Sequence, residues 1–314
     1  MKYLLIDFGA SYIKTIVYNK KEDSYSNNLQ VPSPFLNKNI ISKKEILEIL
    51  ESIVSQNKDI FAIVACSILG GYYKNDIYYS WKELRQEKNH CLISGLFSKL
   101  ETYHIHDHHK KTTVSETYEI GLKVLGSILG IPIYSALGDT MCVIESLNIG
   151  DNDIAINMGT GSQIITKNSI KSYIPSGRAF LTFNELFKSV GLDIFDLLKS
   201  ISIQDVIDSN LTLDLNVFEQ SHLYSNGGSI SNIKEGSFNI KNLLGSILKE
   251  YVNQYKQFIS QDKKNIILTG GIPKKLIIIE SLFRLYYPKM TIICDKSNIE
   301  NTHMGLSSYI KKYL

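Results

Sequence analysis

The chain has 314 residues, of which 44% are hydrophobic and 21% are charged, and its 34 Lys and Arg residues nearly balance its 31 Asp and Glu residues. This length suits two domains or one large one, and this composition argues against a disordered chain. A net charge of +3 gives no reason to expect nucleic acid as a partner. No apolar run approaches the roughly 20 residues that span a bilayer, and the N-terminal MKYLLIDFG is no signal peptide. We therefore expect a cytoplasmic protein.

The first half of the chain opens with a strand-turn-strand pattern. The apolar run Tyr3–Ile6 predicts a buried strand, Asp7–Ser11 predicts a turn, and the β-branched run Ile13–Tyr18 predicts the partner strand of a hairpin. Apolar residues at helical spacing then predict a helix over Lys43–Gln56. The remaining elements predicted in this half are strands over Ile60–Ser67 and Pro132–Leu137 and helices over Glu119–Leu129, with Gly130 as its C-cap, and Met141–Leu147.

The second half of the chain begins with the same strand-turn-strand pattern as the first half. Turn-rich residues 148–152 mark the predicted boundary, so we expect one domain over residues 1–150 and another over residues 151–314. A strand over Asp153–Met158, a glycine turn and a strand over Gln163–Thr166 follow. The remaining predicted elements are strands over Asn265–Thr269 and Thr291–Cys294 and helices over Lys274–Leu285 and Glu300–Tyr313. Strands that alternate with helices indicate an α/β fold.

Glycine-rich turns follow three of the predicted strands: Gly9-Ala10-Ser11, Gly159-Thr160-Gly161-Ser162 and Gly270-Gly271. Glycine lets backbone N–H groups approach a phosphate closely, and the hydroxyls of Ser11 and Thr160 add donors. Asp7 can hold Mg²⁺ directly or through water, and Lys14 can add a positive charge. Taken alone, the turn at Gly9 or the turn at Gly159 favours a plain tight hairpin. The two hairpin turns together with Asp7 favour phosphate binding. The sequence lacks both the P-loop and the dinucleotide-binding GxGxxG motifs.

The order of these features resembles the actin/hexokinase/Hsp70 superfamily of ATP-binding proteins. The first phosphate hairpin of that superfamily is similar to residues 7–14, the second to residues 157–163 and the adenosine loop to residues 268–274. The resemblance implies two ribonuclease-H-like α/β domains with an active-site cleft between them, and ATP and Mg²⁺ as cofactors. It implies a metal ligand in Asp7 and ATP contacts from Gly9, Ala10, Ser11, Lys14, Gly159, Thr160, Gly161, Ser162, Gly270, Gly271 and Lys274.

Within the superfamily, the chain resembles the FGGY carbohydrate kinases. Tyr79–Arg85 (YSWKELR) resembles their Trp-x-Asp-x-Arg segment in the sugar pocket, with Glu83 in place of Asp. Ile133–Asp139 (IYSALGD) resembles the segment that ends in their catalytic Asp, and Glu300–Leu306 resembles their closing helix. The Ala-Leu-Gly-Asp string and the Gly-Thr-Gly-Ser-Gln turn are similar to the sedoheptulokinase-like branch.

This resemblance implies transfer of the γ-phosphate of ATP to a hydroxyl of a sugar, either a ketose (a heptulose or pentulose) or a polyol. Asp139 is then the general base that takes the proton of the hydroxyl; the alternative for an Asp at this place is a helix N-cap. Trp81, Glu83 and Arg85 would bind the sugar together with Asp139. For Trp81 and Arg85, a half-buried Trp and a surface Arg are an equally good interpretation.

The sequence also departs from the FGGY pattern. Cys66–Gly71 stands where family members carry Gln, Met and His, and Met141 stands where they prefer Gln. The alternative function is therefore an actin-fold, nucleotide-gated ATPase that acts on a protein partner without phosphorylating a sugar. For the kinase we expect a small sugar as partner, no nucleic acid and no membrane, and a homodimer is left open.

Two further groups of residues, a histidine-rich segment and the four cysteines, are not predicted to bind a metal. The cluster His104–His109 has imidazole and carboxylate groups that suit zinc, but no second ligand group with recognisable spacing, so a polar loop is favoured. The four cysteines lack CxxC spacing and are expected to be buried free thiols.

Overall fold

A computed structural model describes residues 1–68, 71–80, 88–90, 92–97, 102–108, 111–115, 123–135, 138–159, 161–167, 169–174, 176–217, 228–295 and 297–314. The chain divides into two compact units. Unit 1 contains Met1–His106, Val114–Asn148 and Asn298–Leu314, and unit 2 contains Asp107–Thr113 and Ile149–Ser297. The C-terminal segment therefore belongs to the same unit as the first strand.

The strands of the described residues are β1 (Lys2–Phe8), β2 (Tyr12–Asn19), β3 (Ser24–Pro32), β4 (Ile40–Ser42), β5 (Ala62–Ser67), β6 (Gly71–Lys74), β7 (Ile77–Ser80), β8 (Lys88–His90), β9 (Thr102–His108), β10 (Lys111–Ser115), β11 (Lys123–Ile128), β12 (Ile131–Ser135), β13 (Asp153–Met158), β14 (Ser162–Thr166), β15 (Ser169–Ile174), β16 (Thr212–Asp214), β17 (Ser229–Ser231), β18 (Asn265–Thr269) and β19 (Thr291–Cys294).

The helices of the described residues are α1 (Lys43–Ser55), α2 (Leu92–Leu96), α3 (Asp139–Leu147), α4 (Ser176–Lys188), α5 (Ile194–Lys199), α6 (Ile203–Asp208), α7 (Ile240–Asn253), α8 (Gly271–Lys275), α9 (Ile278–Tyr286) and α10 (Asn301–Tyr313). Short 3-10 turns cover Pro34–Leu36 and Lys256–Phe258. None of the helices in the described part of the chain is both long enough and apolar enough to cross a membrane.

The central sheet of unit 1 has the strand order β11-β12-β5-β1-β2-β3. β1, β5 and β12 run parallel, while β1, β2 and β3 form an antiparallel meander. Strand β1 is buried on both faces. Leu4, Ile6 and Phe8 belong to a core cluster with α1, and Tyr3 and Leu5 belong to another with α3 and α10. An uninterrupted apolar strand is what a sheet covered by helices on both faces requires.

Unit 2 repeats this arrangement. Its sheet contains the strand order β19-β18-β13-β14-β15-β10, in which β13, β18 and β19 run parallel, β13, β14 and β15 form an antiparallel meander, and β10 pairs antiparallel with β15. One core cluster joins the buried residues of β13 and β18 to those of α4, α7 and α9. In both units, therefore, the first strand of a meander also pairs with a parallel strand, so each hairpin turn follows a largely buried strand.

Several predicted elements are confirmed. The opening hairpin forms from β1 and β2, the helix predicted over Lys43–Gln56 is α1, and the strands predicted over Asp153–Met158 and Thr291–Cys294 are β13 and β19. The helix of Lys43–Gln56 begins where Ser42 accepts a hydrogen bond from the Glu45 backbone N–H, a typical N-cap.

The helix predicted over Glu119–Leu129 is wrong where the structure describes it, because Lys123–Ile128 forms strand β11. Leu129 and Gly130 have φ values of +50° and +79°, and such positive values at two successive residues suit the tight turn that joins β11 to β12. Gly130 is therefore a hairpin residue and not a helix C-cap. In this strand Leu125 and Ile128 are buried while Val124 is exposed.

The helix predicted over Lys274–Leu285 is confirmed over Ile278–Leu285, but the structure has two helices there and not one. α8 ends at Lys275, and α9 begins at Ile278. Leu276 adopts φ −122° and ψ +87°, which lies outside the helical region and interrupts the hydrogen-bond ladder. Apolar spacing is preserved across this interruption, so the sequence pattern could not reveal it.

Candidate active site

The first candidate element is the hairpin between β1 and β2 in unit 1. The Gly9 backbone N–H donates to the Tyr12 carbonyl at 3.0 Å, and a Cβ at Gly9 would lie 2.8 Å from that oxygen. Real side chains essentially never come so close, so the turn requires glycine. Asp7 and Lys14 lie opposite each other across the hairpin. The turn itself contains three of the predicted phosphate-binding residues, Gly9, Ala10 and Ser11.

The first turn of α10 packs against this hairpin. The Thr302 hydroxyl donates to Asp7 Oδ2 at 3.0 Å, and both groups are buried. Lys14 Nζ forms an ion pair with Glu300 Oε1 at 3.0 Å, and His303 Nε2 lies 3.2 Å from the Lys14 carbonyl oxygen. No local sequence pattern marks Thr302 or His303 for this contact, because their partners lie 295 and 289 residues away along the chain.

The surroundings of Asp7 disfavour the ionised form of its carboxyl group. The pKa of Asp7 is raised to about 7, first by burial and then by the negative charge of Asp139. Lys14 and the hydrogen bond from Thr302 act in the opposite direction but do not outweigh burial. The two carboxylates of Asp7 and Asp139 therefore lie within electrostatic reach of each other in unit 1.

Asp139 is the first residue of α3, which follows strand β12. The N-cap of α3 is Gly138 and Asp139 is the first helical residue, so the N-cap interpretation of Asp139 is wrong. The backbone N–H groups of a first helical turn carry a partial positive charge, which favours an anionic side chain there. Helix α3 is held close to α10, since a Cβ at Gly305 would overlap the backbone of Cys142.

The buried cysteines Cys66 and Cys142 lie beside these carboxylates. The Cys66 thiol contacts Asp7 Oδ1 at 3.8 Å. The pKa of the Cys66 thiol is raised well above its usual range by a hydrogen bond with Cys142, by burial and by the nearby negative charges. A protonated thiol can donate weakly to the carboxylate and adds no further charge to the site.

The second candidate element is the hairpin between β13 and β14 in unit 2. Its turn is closed by a hydrogen bond of 3.1 Å from the Gly159 N–H to the Gly161 carbonyl. Ser162, the first residue of β14, is buried, and its hydroxyl lies 2.7 Å from the hydroxyl of Tyr255. The Ser162 side chain thus points into the core of unit 2, so only its backbone faces the turn.

Gly270, at the end of β18, approaches this second hairpin closely. Its φ of +95° and ψ of 179° belong to a region that only glycine visits readily. A Cβ there would overlap the Met158 carbonyl oxygen and lie 2.7 Å from Asn157 Oδ1. The Asn157 amide in turn donates to Gln163 Oε1 at 2.6 Å. The two glycine turns of unit 2 are therefore neighbours, and Gly271 beside them has open space where a side chain would be.

Lys274, at the C-terminal end of α8, is engaged within unit 2. Its Nζ lies 3.3 Å from Asp295 Oδ2 and donates to the Ser297 carbonyl at 2.8 Å. In this structure, Lys274 therefore links α8 to the segment that follows β19.

Comparison of the structure with known structures shows the fold. A ligand-bound xylulose kinase from Lactobacillus acidophilus superimposes with a TM-score of 0.65 at 13% identity, covering 98% of this chain and 89% of that chain. The glycerol kinase of Plasmodium falciparum with ADP gives a TM-score of 0.62 at 11% identity, covering 100% and 90%. The chain shares the fold of these two kinases.

The same actin-like architecture also occurs outside the sugar kinases. An activator of 2-hydroxyisocaproyl-CoA dehydratase from Clostridium difficile with bound ADPNP gives a TM-score of 0.50 at 13% identity, covering 98% and 94%. No protein-family model matches the sequence, and no curated protein does either. The α/β class and the actin-like ATPase fold predicted from the sequence are confirmed.

Within the carbohydrate-kinase fold, the predicted residues fall into two groups. Unit 1 brings together Asp7, Lys14 and Asp139 through β1, β2 and α3. Unit 2 brings Gly270 against the hairpin that carries Gly159. Outside the described residues lie Trp81, Glu83, Arg85 and Thr160.

The residues of unit 1 fit a magnesium ion. Asp7 and Asp139 offer carboxylate oxygens, the ligands that Mg²⁺ prefers, and their mutual repulsion would be relieved by a cation. Among the residues that the structure describes, no cluster of three or more His, Cys, Asp and Glu side chains could hold a metal by itself. A fit to Mg²⁺ does not need one, because this ion usually combines one or two carboxylates with substrate phosphates and water.

Proposed function

We propose that this chain is an ATP-dependent carbohydrate kinase that transfers the γ-phosphate of ATP to a hydroxyl of a ketose (a heptulose or pentulose) or a polyol. The fold supports this proposal, and one observation carries it: the buried Asp7 and the helix-initiating Asp139 interact electrostatically in unit 1. Phosphoryl transfer to an alcohol needs a carboxylate for the metal and another for the proton of the hydroxyl.

Asp139 would be the general base. Its place at the start of α3 puts the carboxylate at the positive end of the helix, which favours negative charge there. The oxygen of the sugar hydroxyl would form a bond to the γ-phosphorus while the bond from phosphorus to the leaving ADP oxygen breaks. The hydroxyl proton would pass to Asp139, so that no charge accumulates on the attacking oxygen.

Asp7 would hold the nucleotide-bound cation. Magnesium, when bound, neutralises the charge of the phosphates during transfer. The backbone N–H groups of the two glycine turns would bind phosphate oxygens, as backbone groups in such turns can. This assignment covers Gly9, Ala10, Ser11, Gly159, Thr160, Gly161 and Ser162.

For Ser162 the contact would be made by the backbone, because its hydroxyl is held by Tyr255. Gly270 and Gly271 would lie against the adenosine, since neither has a side chain to keep the nucleotide away. Contact of Lys274 with the nucleotide would require its release from Asp295.

Trp81, Glu83 and Arg85 would bind the sugar with Asp139, the Trp by stacking and the Arg by donating to hydroxyls. ATP as the phosphate donor supports a cytoplasmic reaction. A homodimer would be compatible with this chemistry.

The test is ADP release by the purified protein with ATP and Mg²⁺ across ketoses, heptuloses, polyols and sugar acids. We expect at least one of these compounds to stimulate turnover. Asp139→Asn, which keeps the size but removes the base, should lower that stimulated rate by about 10²–10⁴-fold. Asp76→Asn is the matched control, because Asp76 is an exposed aspartate of unit 1 and should leave the rate within twofold.

The same assay separates the alternative function. ATP hydrolysis that no sugar or polyol changes, and that survives in Asp139→Asn, would favour the nucleotide-gated ATPase that acts on a protein partner. Sugar-dependent turnover that Asp139→Asn leaves intact would remove Asp139 from the role of base while keeping the kinase assignment.

A further inference from the structure

The N-cap residue and the first turn of α10 contact the first hairpin through three residues. Glu300 binds the side chain of Lys14, Thr302 binds the side chain of Asp7, and His303 binds the backbone of Lys14. Thr302 and His303 are buried. The start of α10 thus contacts both strands of the hairpin. The residues it contacts, Asp7 and Lys14, face each other across the hairpin close to its turn.

The geometry of Thr302 leaves its hydroxyl little choice of acceptor. Thr302 is the second residue of α10, and a hydroxyl so near a helix start has no carbonyl of a preceding helical turn to bind. The branched Thr side chain is also restricted in its χ1 angle. A hydrogen bond from a hydroxyl to an ionised carboxylate is stronger than one between neutral groups, and both partners here are shielded from water.

Asp7 has two oxygens with different surroundings. Oδ2 accepts the Thr302 hydroxyl at 3.0 Å, whereas Oδ1 has the Cys66 thiol at 3.8 Å, a weak donor. The strong bond therefore fixes the orientation of the carboxylate. Oδ1 is the oxygen nearer to the turn, since it lies 4.0 Å from the place of a Cβ on Gly9.

We propose that Thr302 is a positioning residue, whose hydroxyl holds Oδ2 of Asp7 so that Oδ1 is presented to the cation of the bound nucleotide. This inference rests on the proposed function in that it takes Asp7 as the metal ligand. Thr302 itself touches neither metal nor nucleotide. Partners that orient a metal ligand in this way typically contribute about 10–100-fold to metal affinity or activity.

The experiment compares Thr302→Val, which keeps the shape and loses the hydroxyl, with Thr302→Ser, which keeps the hydroxyl and loses a methyl group. Binding of ADP is measured by calorimetry over a series of free Mg²⁺ concentrations, without sugar. We expect Thr302→Val to need about tenfold more Mg²⁺ for half-maximal nucleotide binding, and Thr302→Ser to remain within about twofold of the unchanged protein.

Two outcomes overturn the inference. A Mg²⁺ dependence in Thr302→Val equal to that of the unchanged protein removes the positioning role. Equal losses in Thr302→Val and Thr302→Ser do so too, because loss of the methyl group would then matter as much as loss of the hydroxyl, and the effect would come from side-chain packing and not from the hydrogen bond to Asp7. If Thr302→Val does not fold, as judged by circular dichroism, Thr302→Ala replaces it in the same comparison.

The binding experiment is also distinguishable from the test of the proposed function. If no sugar is phosphorylated while Thr302→Val still shifts the Mg²⁺ dependence, the kinase assignment fails and the positioning role of Thr302 stands. If the unchanged protein shows no Mg²⁺-dependent nucleotide binding at all, the inference fails regardless of what a sugar panel gives.

Discussion

Replacing Gly270 by alanine should strongly destabilise unit 2. The backbone of Gly270 lies in a region that costs a residue with a Cβ about 1–3 kcal/mol. The new methyl group would also overlap the Met158 carbonyl and approach Asn157 Oδ1, and such overpacking typically costs about 1–3 kcal/mol. Taking about 2 kcal/mol for each contribution gives a loss of about 4 kcal/mol.

The measurement is thermal unfolding followed by circular dichroism. For a unit of this size, about 1 kcal/mol corresponds to about 2–4 °C, so we expect the melting temperature of unit 2 to fall by about 8–16 °C. The matched control is Gly271→Ala, one residue further along. Gly271 begins α8 and has nothing within 4 Å of a Cβ, so this variant should be unchanged or stabilised by about 0.4–1 kcal/mol.

Equal effects of the two alanine substitutions would refute the reasoning, since they would show that neither the backbone angle nor the close approach at Gly270 matters. So would a Gly270→Ala protein with unchanged melting temperature. A large loss in Gly270→Ala alone would instead establish that β18 and the second hairpin meet as closely as the structure shows.

Two further predictions concern buried polar groups. Tyr255→Phe removes the hydroxyl that contacts Ser162 and leaves that serine without this partner, so we expect urea unfolding to show a free energy of unfolding lower by about 1–3 kcal/mol. The control Tyr313→Phe, at an exposed tyrosine, should change it by less than about 0.5 kcal/mol. Equal effects of the two substitutions would contradict the role of the buried pair. The pKa of His303 is lowered to about 4, chiefly by burial, so the unfolded chain takes up a proton more readily and stability should fall as the pH drops from about 6.5 to about 4. A pKa difference of this size corresponds to up to about 3 kcal/mol of unfolding free energy. The free energy of unfolding of His303→Gln should therefore decline less steeply over that pH range. An identical decline in both proteins would contradict the assignment of this pH dependence to His303.

The sequence predicted the parts of the fold that depend on local pattern. Strand β13 and the hairpin of β1 and β2 are marked by apolar runs that end in glycine turns, and both are present. The pattern failed where two structures share the same spacing of apolar residues. The sequence predicts a helix over Glu119–Leu129 because nothing local distinguishes Gly130 as a helix cap from Gly130 as a hairpin residue, and Lys123–Ile128 forms a strand instead.

The candidate site was predictable to a similar extent. Asp7 and Asp139 could be identified from the sequence motifs in which they lie. Their electrostatic interaction could be found only from the structure. Thr302 could not be named, since a threonine near a helix start has no distinctive signal. For Ser162 the sequence predicted a contact with ATP from its place in a glycine turn, whereas in the structure its hydroxyl is buried against Tyr255.

The return of α10 to strand β1 has a consequence for how the chain is made. Thr302 is synthesised 295 residues after Asp7, and at about 5–20 residues per second this interval lasts about 15–60 s. During that time, Tyr3 and Leu5 lack the covering that Leu306 and Tyr309 provide in the finished core. A nascent unit 1 therefore leaves this part of its apolar sheet face without the cover of α10 until that helix has been made.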